Sequence, residues 1–183
     1  DKLRAALRQR LPQSEAGRLH HRAAAHLLLV HPDRIAELAY HFDAAGDHQA
    51  ALPFALEAAE QSAVRSALES AEEQYRIAQR GAAAADRATR FRVQQGLGTT
   101  LMLRGRYHEA GPVLQEASAL ADGPLASATM RYRLAELSFK RGDKVQAAAD
   151  YEAALRLLGR YVPRSPLMRV LLLSWEAFIQ TLH

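Results

Sequence analysis

Six histidines fall early in the chain: His20, His21, His26, His31, His41 and His48. Imidazole is the commonest metal ligand and a frequent general base near neutral pH. A zinc hydrolase sets two such ligands four apart on one helix face with a carboxylate beside them, as in His-Glu-x-x-His. His20 and His26 stand six apart, and His26 and His31 five, so neither pair shares a face well. A metal-dependent hydrolase using the His20 to His48 stretch is carried only as the alternative from another class. Covalent chemistry has less to work with. Cysteine is absent, which removes thiolate nucleophiles and Cys-type zinc sites together, and no nucleophile turn frames a serine. There is no Gly-x4-Gly-Lys-Ser/Thr loop. The "GLG" of Gly96 to Gly98 lies inside a helix pattern with no strand before it, and Gly98 reads as the small residue that lets two helices touch. No catalytic, cofactor or metal residue is assigned, and the chain is expected not to be an enzyme.

Arginine is the other reactive type. Arg87 and the "RFR" of Arg90 to Arg92 could meet phosphates, and the formal net charge is +4. A groove for single-stranded nucleic acid interleaves aromatics for stacking. Aromatics make up only 7% of this chain and none lies in a regular basic stripe, so solvated helix faces explain the arginines more simply and nucleic acid is disfavoured as a partner.

These side chains have to be carried by helices. Of the 183 residues, 37 are alanine, the strongest helix former and one depleted in strands. Hydrophobic residues at 49% and charged ones at 24% belong to a folded chain. Nothing reaches the roughly 18 consecutive apolar residues of a membrane span. No membrane partner is expected, and the lack of cysteine fits a reducing compartment, the cytoplasm. The chain opens on Asp1 and is read as a piece of a longer polypeptide.

Hydrophobic periodicity and cap signals predict about nine or ten helices, at about 2–10, 14–30, 33–45, 48–64, 67–81, 86–104, 107–121, 125–141, 144–159 and 166–182. "GAAAAD", Gly81 to Asp86, is the expected loose loop, with "RYVPRS", Arg160 to Ser165, second. Pro53 and Pro112, each seven residues after a glycine, are expected to bend their helices.

The segments repeat. Aligned on Gly46, Gly105 and Gly142, the stretches "GDHQAALPFALEAA", "GRYHEAGPVLQEAS" and "GDKVQAAADYEAAL" place Ala51, Ala110 and Ala147 five residues on, Ala55, Leu114 and Tyr151 nine on, and Ala58, Ala117 and Ala154 twelve on. Ser66 heads a degenerate fourth copy with Ala71, Tyr75 and Ala78. Offsets five, nine and twelve share one helical face. Glycine can take the left-handed conformation that stops a helix, and the Asp after it can accept from the N–H groups that start the next. Arg106 replaces that Asp in one copy, which should therefore fray sooner. Gly46 and Ser66 stand about half as far apart as the other neighbours, so helix 48–64 must serve two partners.

A helical pair with Leu-Gly/Ala, a Gly-Asp turn and alanines at these intervals resembles the tetratricopeptide repeat. "LGTTLMLRGRYHEAGPVLQEASAL" and "LAELSFKRGDKVQAAADYEAALRL" are the clearest copies. Both lack the usual aromatic that opens the first helix, having Gln94 and Arg131 instead, and lack the terminal proline. "LRAALRQRLPQSEAGRLHHRAAAHL" with "PDRIAELAYHFDAAGDHQAALPFALEAAEQS", and the tail "LLGRYVPRSPLMRVLLLSWEAFIQTLH", are similar to segments flanking the repeats in large bacterial signal-transduction ATPases. The resemblance implies an all-α, right-handed superhelix of antiparallel helix pairs. It also implies three regions: junction helices at 1–32, repeats at 33–159 and a capping helix at 160–183. The function implied is a non-catalytic sensor or scaffold without a cofactor. Its partner would be a protein, a peptide or a small effector, the other domains of its own chain included. A freestanding repeat adaptor is the rival reading.

In a helical solenoid the first helix of each pair lines the concave face. Its outward positions here are Arg92, Gln95, Thr99 and Met102, with Tyr132, Arg133, Glu136, Phe139 and Lys140 on the next such helix. Met102 and Phe139 fit equally well as packing against the following helix. The last segment is apolar around most of its circumference, and Trp175 and Phe178 read as capping residues or as a docking surface through which two copies could associate.

Overall fold

In the computed structural model, the residues described are 12–160 together with Ser165, Met168 and Ser174. The helices expected at about 2–10 and 166–182, and with them Trp175 and Phe178, lie outside that set apart from Met168 and Ser174. Among the described residues there are eight α-helices and no strand. They are α1 Gln13–Val30, α2 Ile35–Ala44, α3 His48–Val64, α4 Leu68–Gly81, α5 Arg87–Leu103, α6 Tyr107–Leu120, α7 Gly123–Lys140 and α8 Lys144–Leu157. None of them is long and apolar enough to cross a membrane.

The same turn recurs between helices. At Gly46 the backbone reaches φ +82°, Gly46 N–H donates to Asp43 O, and Asp47 N–H reaches back to Phe42 O. This is the 6→1 and 5→2 pairing that satisfies the orphan carbonyls of a helix end. Gly105 and Gly142 repeat it, on Met102 and Leu101 and on Phe139 and Ser138. Ser66 repeats it too, with φ +59° in a residue that carries a Cβ. Asp47 and Asp143 then cap the following helices, accepting from Ala50 N–H and Gln146 N–H at 3.0 Å each. Arg106 offers no such cap. Its guanidinium instead bonds Glu109 in the first turn of α6 and Glu72 on α4, so the start of α6 is held by a cross-helix tie in place of the missing cap.

The chain forms two compact units, Asp1–Ala121 and Asp122–His183. In the first, each helix from α1 to α6 packs on the next, most extensively α3 on α4, α5 on α6 and α2 on α3. Helix α3 serves both α2 and α4, as its spacing required. In the second unit, α7 packs on α8.

The buried stripe is the repeated one: Ala51, Ala55 and Ala58; Ala71, Tyr75 and Ala78; Ala110, Leu114 and Ala117; and, in the second unit, Ala147 and Ala154. Short side chains bring helix backbones close. A Cβ placed on Gly98 would come within 2.7 Å of the Leu114 side chain, so the contact read from the sequence is real.

The expected loose loop is not one. Gly81 closes α4, Ala82–Ala84 wind into a 3₁₀ turn, and Ala82 is buried. Alanine favours helical backbone, and Gly81 lies so near the His48 carbonyl that a Cβ would stand 2.1 Å from its oxygen. Close packing on α3 therefore fixes this corner. Helices α3 and α6 run on through Pro53 and Pro112.

Candidate ligand-binding groove

Between α3 and α5 the first unit is open. Tyr75 of α4 forms the floor; its ring is buried, and a Cβ on Gly96 would clash with it. Glycine at 96 is thus what lets α5 sit over an aromatic residue. Across the opening, Arg92 holds Glu60 with both ends of its guanidinium, Nη2 to Oε1 at 2.8 Å and Nε to Oε1 at 3.2 Å.

Two cavities flank this pair. One, of about 260 Å³, is bounded by Tyr75, Arg92, Gln95 and Thr99. The other, of about 410 Å³, is bounded by Leu52, Leu56, Glu57 and Thr89. Glu60 and Arg92 belong to both. Each side chain of the pair is roughly half exposed, so water screens it and it contributes little to stability. It can be separated by a ligand at small cost. Burial pushes the Tyr75 hydroxyl above its ordinary pKa and Glu60 adds to this, while Arg92 opposes. The floor is therefore a neutral phenol under a surface of both signs.

Three of the residues expected to bind, Arg92, Gln95 and Thr99, meet here. Met102 does not. It is 1% exposed and part of the core, because α5 is packed by α3, α4 and α6 together and its last turn buries Thr100, Leu101 and Met102 in succession.

The others lie on α7 in the second unit. Arg133 pairs with Glu136 at 3.1 Å and lies over the Tyr132 ring. Tyr132 in turn contacts Tyr151 of α8, ring centroids 5.5 Å apart. Phe139 is 57% exposed and Lys140 is exposed beside it. Sequence reasoning missed Glu60 and Tyr75 as site residues. Tyr75 was visible as the one aromatic at offset nine among residues 44–121; Glu60 carries no local signal at all.

Several other charged side chains hold helices together. Glu72, buried on α4, meets Arg76 on its own helix, Arg104 at the end of α5 and Arg106 before α6. Burial raises its pKa, the three guanidiniums outweigh that, and the carboxyl ends below its usual range. Asp43 behaves likewise, burial opposed and overcome by Arg80 of α4 and then His48. Arg87 donates to the carbonyls of Leu120, Ala119 and Ala121 at the end of α6. Of the arginines that could have met phosphates, Arg87 is thus engaged within the fold.

Gln94 and Arg131, the polar residues at the expected aromatic positions, are also partnered across helices. Gln79 Nε2 donates to Gln94 Oε1 at 3.0 Å, and Arg131 bonds buried Asp150 at 2.9 Å.

Compared with known proteins, the chain matches no family model and no curated protein.

The histidines separate by role. His20 and His41 share a hydrogen bond, Nδ1 to Nδ1 at 2.9 Å, that ties α1 to α2. His48 bonds Asp43, and His21 lies edge-on to Phe42. Among the described residues no group of three or more His, Asp or Glu gathers as a metal site.

Proposed function

We propose that this chain is the tetratricopeptide-type segment of a cytoplasmic multidomain signalling ATPase, a right-handed array of helix pairs that binds rather than catalyses. Its ligand, a protein or peptide or a small effector, occupies the α3–α5 groove. The observation that carries the reading is the Glu60–Arg92 pair. It spans an opening with a cavity on each side, in a unit whose other arginine clusters are locked into internal ties. A paired, half-exposed acid and base can exchange each other for a ligand's charges and hydrogen-bonding groups without leaving either unsatisfied.

The recurring left-handed turns and alanine stripes support a repeat array. The resemblance of the flanking stretches to segments beside ATPase modules is the ground for proposing the parent. In that setting, a ligand with different affinity for two arrangements of the array biases the attached modules.

Selection of a displayed peptide library on the 183-residue chain tests the groove. Selected peptides are expected to lose at least tenfold in affinity for Arg92→Glu combined with Thr99→Arg, and to bind Val145→Glu as they bind the parent. Peptides that bind all three alike would overturn the assignment. The parent is tested by reading the open reading frame upstream for a P-loop module; its absence would leave the freestanding adaptor.

A further inference from the structure

The two cavities that flank Glu60 and Arg92 differ in chemistry. Apart from that pair, the one over Tyr75 is bounded by uncharged residues alone, whereas the larger one is bounded by Glu57 as well. The opening thus sets two carboxylates against one guanidinium, with the excess negative charge on α3. Glu57 is exposed, it accepts from the neutral amide of Gln61 at 3.2 Å, and no cation among the described residues pairs with it. Three positions apart on one helix, Glu57 and Glu60 are surface neighbours. On the α5 side stands Thr89, whose hydroxyl proton goes to Asp86 Oδ2, so its oxygen has only lone pairs to offer. The rest of the α3 wall is apolar: Leu52, Pro53 and buried Leu56. A proline inside a helix gives up a backbone hydrogen bond, and this one is exposed at the cavity wall.

We propose that this cavity of about 410 Å³ takes the side chain of a lysine carried by the bound peptide. The inference rests on the α3–α5 groove being the binding site and names what that groove selects. The methylene stem lies along Leu52, Pro53 and Leu56, and the ammonium sits among Glu57, Glu60 and the Thr89 oxygen. An ammonium is a compact charge with three donors, which suits a wall that offers acceptors. A guanidinium is a planar fork that matches one carboxylate, and Arg92 already supplies that fork to Glu60. Seating the lysine balances the charge of the opening and lets Arg92 turn to an acceptor on the peptide. The opening continues past Arg92 to Tyr75, Gln95 and Thr99, so the occupant extends beyond a single amine.

Peptides selected on the 183-residue chain from a displayed library are expected to share a lysine. Replacing it by norleucine, which keeps the stem and removes the charge, should cost about tenfold in affinity, and acetylating it a similar factor. Glu57→Gln, on an exposed helix position, should cost about threefold at an unchanged thermal midpoint. The same variant should cost the norleucine peptide nothing further, because both changes remove one contact. Val145→Glu, in the other unit, should bind as the parent does. Selected peptides with no enriched lysine, or with arginine in its place, would overturn the proposal, and so would equal losses from Glu57→Gln for the lysine and norleucine peptides. N-acetyl-lysine amide binding as tightly as the whole peptide would overturn a peptide as the source of the amine. If the lysine fails while Arg92→Glu combined with Thr99→Arg still weakens binding, the groove stands and only its lysine selectivity falls. Peptides indifferent to every one of these variants remove the groove itself.

Discussion

Ser66 stands where three sister turns have glycine, and its φ of +59° forces a Cβ toward the following carbonyl. A left-handed L-residue costs about 1–2 kcal/mol, partly offset because glycine would loosen the unfolded chain. Ser66→Gly is therefore expected to stabilise the protein by about 0.5–1 kcal/mol, read as a raised denaturant midpoint with unchanged m. Gly98 is the opposite case. It is helical, and a larger residue there meets Leu114, which is fully buried and has little room to withdraw. Gly98→Val should cost about 1–3 kcal/mol by overpacking, although glycine is the poorer helix former. Equal stability of that variant would mean that α5 and α6 are not in the contact described. Gly98 could be read from the sequence because its neighbours set a helical period and its type permits only close approach. Glu60 could not, since a carboxylate acquires its meaning from Arg92 thirty-two positions away.

At the level of elements, most boundaries were legible because each rests on local chemistry. Asp47, Asp86 and Asp143 cap helices through hydrogen bonds to a residue three positions on, and such bonds are visible in sequence. The Gly81–Asp86 corner misled because glycine and a small-residue run signal looseness, whereas here they allow the backbone of α4 to touch α3. Met102 was ambiguous for a related reason: how many neighbours a helix has is a tertiary fact. The ties between elements were also hidden. Glu72 joins α4 to the α5–α6 turn, and Asp43 joins α2 to α4. Both carboxyls titrate below their usual range when folded. They bind fewer protons folded than unfolded, so their contribution is full above the unfolded pKa and disappears as pH falls through the folded one. The thermal midpoint should be level from neutrality to about pH 5 and fall below about pH 4. Glu72→Gln should cost about 1–3 kcal/mol at neutral pH, since it strips charge-assisted bonds from a buried group, and should flatten the acid limb. An unchanged acid limb would show that the Glu72 cluster contributes nothing to it.

For the molecule as a whole, the two units present surfaces of different character. The first offers a mixed-charge opening over a tyrosine floor, the second an apolar one between α7 and α8. A ligand that reads charge and hydrogen bonds suits the first, and recognition is proposed there for that reason. The sequence marked outward positions on both α5 and α7, because a repeat pattern assigns equivalent positions without saying which of them a neighbour covers. Amide hydrogen exchange on the 183-residue chain, with and without a peptide selected on it, tests the central assignment most directly. Slowed exchange is expected in α3 around Glu60 and in α5 from Arg92 to Thr99, with α7 and α8 unchanged. Protection confined to α7 and α8, or none in α3 and α5 at saturating peptide, would contradict it.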